Sequence, residues 1–133
     1  MKTLSKNQKI FALLTLALSV TFFYFLYQFI ESKQFNYVII GSSMFGAALF
    51  LLGFTLGYKD KMISEKMSLG FRYHLITYVI VNATRIITSL VFIGFTTQNI
   101  LAILSTLFFW GLGLAVHYFL GKKRKNTIKQ TIN

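Results

Sequence analysis

Four apolar runs follow one another along the chain, and short polar breaks separate them. A helix needs about 20 apolar residues to cross a bilayer, because each residue adds about 1.5 Å and the hydrocarbon layer is about 30 Å thick. The runs cover residues 10–30, 35–58, 71–95 and 100–120. The pattern predicts an all-α integral membrane protein, a four-helix bundle built from two antiparallel transmembrane hairpins.

The polar breaks divide the chain into two hairpins and two hydrophilic segments. Residues 1–58 form the N-terminal hairpin, 59–70 a linker, 71–121 the C-terminal hairpin and 122–133 a basic tail. The first run is too long for the core of a signal peptide, which is about 7–15 residues, so we interpret it as a retained helix. Gly121 is predicted to end the last helix.

The composition supports a membrane protein and excludes several other classes. Hydrophobic residues make up 55% of the chain and charged residues 13%, whereas an average soluble domain is about 25% charged. The absence of cysteine excludes disulfides and thiolate metal sites. The net charge of +11 comes from basic residues at the ends of apolar runs. We therefore expect anionic lipid headgroups as partners, above all at the basic tail, and no nucleic acid.

The distribution of the basic residues predicts the orientation. Loops rich in lysine and arginine stay in the cytoplasm. If both termini and the linker share one side, that side holds twelve of the fourteen basic residues, and the other side holds Lys33. Arg85 is left inside the membrane. The chain is thus predicted to be a multi-pass protein of a bacterial inner membrane with both termini cytoplasmic.

Small residues along the second run predict close helix packing. Gly53 and Gly57 form a GxxxG pair, and Gly46 lies seven residues before Gly53. Small residues let transmembrane helices approach each other closely. The packing could lie within one bundle or between two copies in a homo-oligomer, and a partner membrane protein is a third option.

The third run carries an unusual stripe of polar residues, and the fourth run complements it. His74, Tyr78, Asn82 and Arg85 fall within roughly 80° of one helix face. Such a stripe is expected to face another helix or a water-filled cavity rather than lipid. In the fourth run, His117 is expected to return to the depth of His74. The remaining candidates there are Trp110, whose indole is expected to donate a hydrogen bond into the stripe, and the packing glycines Gly111 and Gly113.

These residues carry a resemblance to a known family. The patterns H-L-x-x-Y-x-x-V-N at 74–82 and W-G-x-G-L-x-x-H at 110–117 resemble the bacterial two-transmembrane (2TM) domain family. The resemblance covers about residues 66–121 and implies a helical hairpin associated with signalling, without a defined reaction. The chain departs from the family pattern through its two additional helices and through Arg85. The positions that carry over are His74, Tyr78, Asn82, Trp110, Gly111, Gly113 and His117.

Several alternatives stay open for the titratable residues of the stripe and for His117. His74 and His117 could form hydrogen bonds across the hairpin, sense protons near pH 6.5, or bind a metal or haem, although two ligands make a poor closed metal site. Arg85 could extend toward the outer surface or bond backbone carbonyls and Asn82. It could instead anchor an anionic ligand in a cavity.

No catalytic motif accompanies these residues, and we expect neither an enzyme nor a bound cofactor. The three acidic residues fall in polar breaks, where solvation accounts for them: Glu31, Asp60 and Glu65. The leading hypothesis is a non-enzymatic accessory, sensory or scaffolding component of the 2TM-domain type. One alternative is a small transporter or lipid-handling protein that uses Arg85 for an anionic substrate. The other is a metal- or haem-binding membrane protein that uses His74 and His117.

Overall fold

The described part of the chain folds into four α-helices. The computed structural model describes residues 4–61, 66–94 and 96–132, with side chains at 4–60, 70–94, 96–116, 118 and 119. Each of the four helices within these ranges is long and apolar enough to cross a membrane, which confirms the prediction of an all-helical chain with four candidate spans. They are α1 (Lys6–Glu31), α2 (Phe35–Lys61), α3 (Lys66–Phe92) and α4 (Thr97–Ile132).

Each helix extends beyond its predicted apolar run at one end or both, but α3 ends at Phe92, three residues before the predicted end at 95. Helix α1 begins four residues before its run because Ser5 caps it: the Ser5 hydroxyl accepts from the Gln8 amide, and the Gln8 side chain accepts from the Ser5 amide, both at 3.1 Å. This reciprocal capping box satisfies amides that a helix start otherwise leaves unpaired. Helix α4 does not end at Gly121 and continues to Ile132, since the basic tail is rich in lysine, a good helix former.

Both tight turns use backbone conformations in the left-handed region. Lys33 has φ of 57°, and Gly94 has φ of 78°. After α1 the Gln34 amide donates to the Phe29 carbonyl at 2.8 Å, and this bond closes the turn before α2. A left-handed residue just after a helix lets the chain reverse within a few residues.

The helices pack unevenly. Helices α1, α2 and α3 pack against one another, whereas among the described residues no Cα of α4 lies within 8 Å of α1 or α2. The most buried apolar contact is an edge-to-face pair of Phe11 and Tyr73, with ring centroids 4.9 Å apart. The centre of packing is therefore the α1–α2–α3 junction, and α4 flanks α3.

The predicted packing glycines of α2 occupy different environments. A methyl group at Gly53 would lie 3.7 Å from the Phe11 ring, and one at Gly57 would lie 3.8 Å from the Tyr73 ring. Both glycines thus line the contact of α2 with its neighbours. A methyl group at Gly46 would meet no atom within 4 Å.

The buried face of α1 is partly polar, which the hydropathy pattern did not reveal. Gln8, Thr15 and Ser19 have no exposed surface. The Ser19 hydroxyl donates to the Thr15 carbonyl at 2.7 Å. Within the described structure, the Thr15 hydroxyl and the Gln8 side-chain nitrogen have no hydrogen-bond partner. The spacing of these residues, i, i+7 and i+11, is the signal that could have identified this face.

Replacing Thr15 with valine is expected to stabilise the protein by about 1 kcal/mol, because a buried hydroxyl without a partner costs about 1–3 kcal/mol and valine has nearly the same shape. Unfolding in mixed detergent micelles, followed by circular dichroism, measures the change. Thr21→Val is the matched control, since the Thr21 hydroxyl lies on the exposed face of α1 and bonds the Ala17 carbonyl. A Thr15→Val protein less stable than wild type would show that the hydroxyl has a partner.

Candidate functional site

The polar stripe of α3 faces α4 and bonds its backbone. The Tyr78 hydroxyl donates to the Leu107 carbonyl at 3.1 Å, and an Arg85 guanidinium nitrogen donates to the Ala102 carbonyl at 3.3 Å. Both acceptors also belong to the helical ladder of α4, and the Ala102 carbonyl additionally accepts from the Ser105 hydroxyl at 3.1 Å and the Thr106 hydroxyl at 2.9 Å. The two side chains therefore connect the helices without requiring a polar side chain on α4.

Asn82 is a buried member of the stripe. Its side-chain nitrogen donates to the Tyr78 carbonyl one turn earlier at 2.8 Å, and the residue is 5% exposed. This bond holds the amide against α3. Asn82 therefore contributes a fixed polar group beside Arg85.

A cleft of about 600 Å³ lies beside Asn82 and Arg85, and residues of all four helices line it. The indole of Trp110 on α4 also lines this cleft. Part of the lining is aromatic: the Phe22 and Phe45 rings stack with centroids 4.3 Å apart and an interplanar angle of 4°. The cleft thus combines one cationic side chain with a rigid apolar surface.

A second cleft, of about 260 Å³, lies between α3 and α4 beside His74. Tyr78, Trp110 and Gly113 line it as well, and the rings of Tyr78 and Trp110 are 6.2 Å apart. The side chain of His117 lies outside the described residues, so its pairing with His74 stays a prediction. Among the described side chains, no three His, Cys, Asp or Glu residues lie together in a metal-binding arrangement.

The two glycines of α4 differ in their surroundings. A methyl group at Gly111 would lie 3.4 Å from the Tyr78 hydroxyl, which leaves little room between α3 and α4 there. A methyl group at Gly113 would meet no atom within 4 Å. Gly111 therefore lies at the helix contact, and Gly113 lies at the open cleft beside His74.

Asp60 forms a polar cluster that the sequence did not predict. Its carboxylate accepts from the Ser5 hydroxyl at 2.6 Å, the Asn7 side-chain amide at 2.7 Å and the Tyr73 hydroxyl at 2.9 Å. Asp60 is 5% exposed, so the expectation that solvation accounts for it is wrong. It lies in the last turn of α2, where that helix meets the beginning of α1 and of α3.

A second unpredicted cluster closes the α3–α4 turn. The Ser89 hydroxyl donates to the Asn99 side-chain oxygen, and the Asn99 side-chain nitrogen donates to the Gly94 carbonyl at 2.9 Å. Ser89 is 2% exposed and Asn99 is 8% exposed. These contacts fix the end of α3 to the beginning of α4.

Comparison with known proteins bears on the α3–α4 part of the chain. A family model described as the 2TM domain matches residues 61–123. The predicted resemblance is confirmed. The 2TM-domain match contains α3, its polar stripe and the apolar part of α4, whereas α1 and α2 precede it. No curated protein and no solved structure matches the chain. The chain therefore contains a 2TM-like helix pair next to two further helices.

Proposed function

We propose that the protein is a non-enzymatic sensory or accessory component of a bacterial inner membrane. In this proposal the four helices cross the bilayer as two antiparallel hairpins, and both termini are cytoplasmic. The basic residues support this orientation, because twelve of the fourteen fall on the side of the termini and the linker. The match to the 2TM domain supports a membrane-spanning pair of α3 and α4, and the resemblance to that family implies a signalling association.

The position of α4 is the observation that carries the proposal. Its apolar run ends at Leu120, but the helix continues for twelve residues to Ile132, about 18 Å at 1.5 Å per residue. Among the described residues α4 packs on α3 alone. A change in the α3–α4 contact can therefore shift the basic extension without displacing α1 or α2. This packing suits a sensor that transmits its signal to the cytoplasm through the extension of α4.

Substitutions at Gly121 test whether the helical extension transmits a signal. Gly121→Pro breaks the helix at the membrane boundary, at a cost of about 3 kcal/mol, whereas Gly121→Ala strengthens it, and neither changes the charge. Cells expressing each variant are compared with wild-type and null cells by transcript profiling, at matched membrane levels of the protein. We expect the proline variant to resemble the null and the alanine variant to resemble wild type. A proline variant that matches wild type, in cells where the null differs, would contradict the proposal.

A small transporter or lipid-handling protein is the second candidate, and the cleft beside Arg85 favours it. A carrier needs a site near the middle of the membrane, and this cleft is lined by all four helices. The two candidates differ in what they require of the extension. A carrier would lose activity in Arg85→Leu and keep it in Gly121→Pro, whereas the proposed sensor requires an intact helix through Gly121.

A further inference from the structure

The cleft beside Arg85 opens toward the lipid. Phe22 of α1, Phe45 of α2 and Phe109 of α4 all line it. Within the described part of the chain, however, no Cα of α4 lies within 8 Å of α1 or α2. The backbone of α4 therefore stands apart from the first two helices, and the cleft lies in the gap between them. A molecule dissolved in the bilayer can enter through this gap without passing through water.

Arg85 brings an uncompensated positive charge to this cleft. Its guanidinium has five N–H donors, and its one described hydrogen bond is the 3.3 Å contact with the Ala102 carbonyl. No acidic residue lines the cleft among the described side chains. A cation inside a membrane is costly unless it is paired, and the planar guanidinium fits a carboxylate or phosphate with two parallel hydrogen bonds. The charge therefore favours an anionic group as occupant.

The aromatic part of the cleft suits a hydrocarbon chain. The stacked rings of Phe22 and Phe45 form a flat apolar wall. The volume of about 600 Å³ falls within the range of about 300–1,000 Å³ typical of ligand pockets. A small hydrated anion would fill little of this space and would leave the aromatic wall without a contact.

The depth of Arg85 also argues for a ligand carried by the membrane. Arg85 lies seven residues before Phe92, the end of α3, which places its backbone about 10 Å below that end at 1.5 Å per residue. An anion bound there lies below the level of the polar headgroups. An anionic group attached to a hydrocarbon chain can reach this depth by sliding sideways into the cleft.

We propose that the cleft binds a membrane-borne amphiphile, with its carboxylate or phosphate on Arg85 and its hydrocarbon chain along Phe22 and Phe45. The two chemical sources of such an anion are a single-chain fatty acid and an anionic phospholipid. The inference rests on the proposal that α3 and α4 cross the bilayer. In the proposed sensor, this amphiphile is the class of ligand to which the α3–α4 pair responds.

Fluorescence of Trp110 tests this site directly, because it is the one tryptophan of the chain and it lines the cleft. The full chain is placed in phosphatidylcholine nanodiscs with one brominated quencher at a time: a fatty acid, its uncharged methyl ester as the neutral quencher, or phosphatidylglycerol. We expect at least one anionic quencher to act at about tenfold lower mole fraction than the neutral one. The reason is that the anionic quencher accepts a charge-assisted hydrogen bond from Arg85, which the neutral one lacks. A preference for the fatty acid or for phosphatidylglycerol identifies which of the two supplies the bound anion. Equal quenching by all three, or displacement by inorganic phosphate, would overturn the proposal.

Two matched variants separate binding at Arg85 from general attraction to the charged protein. Arg85→Gln is expected to abolish the preference for the anionic quencher, and removing a membrane-embedded charge favours rather than hinders insertion. Arg72→Gln removes the same charge from the same helix, thirteen residues away, and is expected to keep the preference. If Arg85→Gln keeps the preference for the anionic quencher, or if both variants lose it equally, the proposed site is contradicted. A quenching result that contradicts the cleft would leave the result for the Gly121 variants unaffected, so the two proposals are tested separately.

Discussion

Replacing Asp60 with alanine is expected to destabilise the protein by about 3 kcal/mol, the largest effect that the structure predicts. The change removes the acceptor for three side chains, Ser5, Asn7 and Tyr73. Hydrogen bonds to a charged group contribute about 1.5–3 kcal/mol each, and part of this is recovered where water reaches the freed groups. Unfolding in mixed detergent micelles, followed by circular dichroism, gives the change in the free energy of unfolding.

Two comparisons make the Asp60 result specific. Glu31→Ala removes an exposed acid from the end of α1 and is expected to change stability by less than about 0.5 kcal/mol. Tyr73→Phe removes one bond of the cluster, and its effect should be smaller in the Asp60→Ala background than in wild type. An Asp60→Ala protein as stable as the Glu31→Ala control would show that the cluster does not hold α1 in place.

Replacing Asn99 with alanine is expected to cost about 2 kcal/mol. The substitution removes its bonds to Ser89 and to the Gly94 carbonyl, and it leaves a nearly fully buried hydroxyl without its acceptor. Gln98→Ala is the matched control, because Gln98 is the exposed neighbour in the same turn of α4. The same unfolding assay measures both variants. If both variants lose equally little stability, the turn between α3 and α4 does not depend on this cluster.

Hydropathy predicts the four helices because membrane length and apolarity are local properties of the sequence. It does not predict which faces of the helices meet. Asp60 illustrates the difference: its partners Ser5 and Asn7 are 55 and 53 residues away, so nothing near Asp60 in the sequence identifies a buried cluster. The uneven packing could not be predicted either, since the four apolar runs are alike in length and mean hydropathy.

The polar stripe of α3 was partly predictable because helical periodicity places residues on one face. Tyr78 and Arg85 were expected to face a helix or a cavity, and both bond α4. What lies opposite the stripe could not be derived from periodicity. The aromatic wall of Phe22 and Phe45 comes from α1 and α2, whose apolar runs give no sign of which residues approach Arg85.

Labelling of single cysteines in intact cells tests most directly the central claim that the chain crosses the bilayer four times. The natural chain has no cysteine, so each introduced cysteine reports one position to a membrane-impermeant maleimide. We expect Lys33→Cys and Gln98→Cys to react from outside the cytoplasm, and Lys59→Cys and Lys125→Cys to react only after the inner membrane is opened. Labelling that places positions 59 and 125 on opposite sides, or position 33 on the side of 125, would contradict the account.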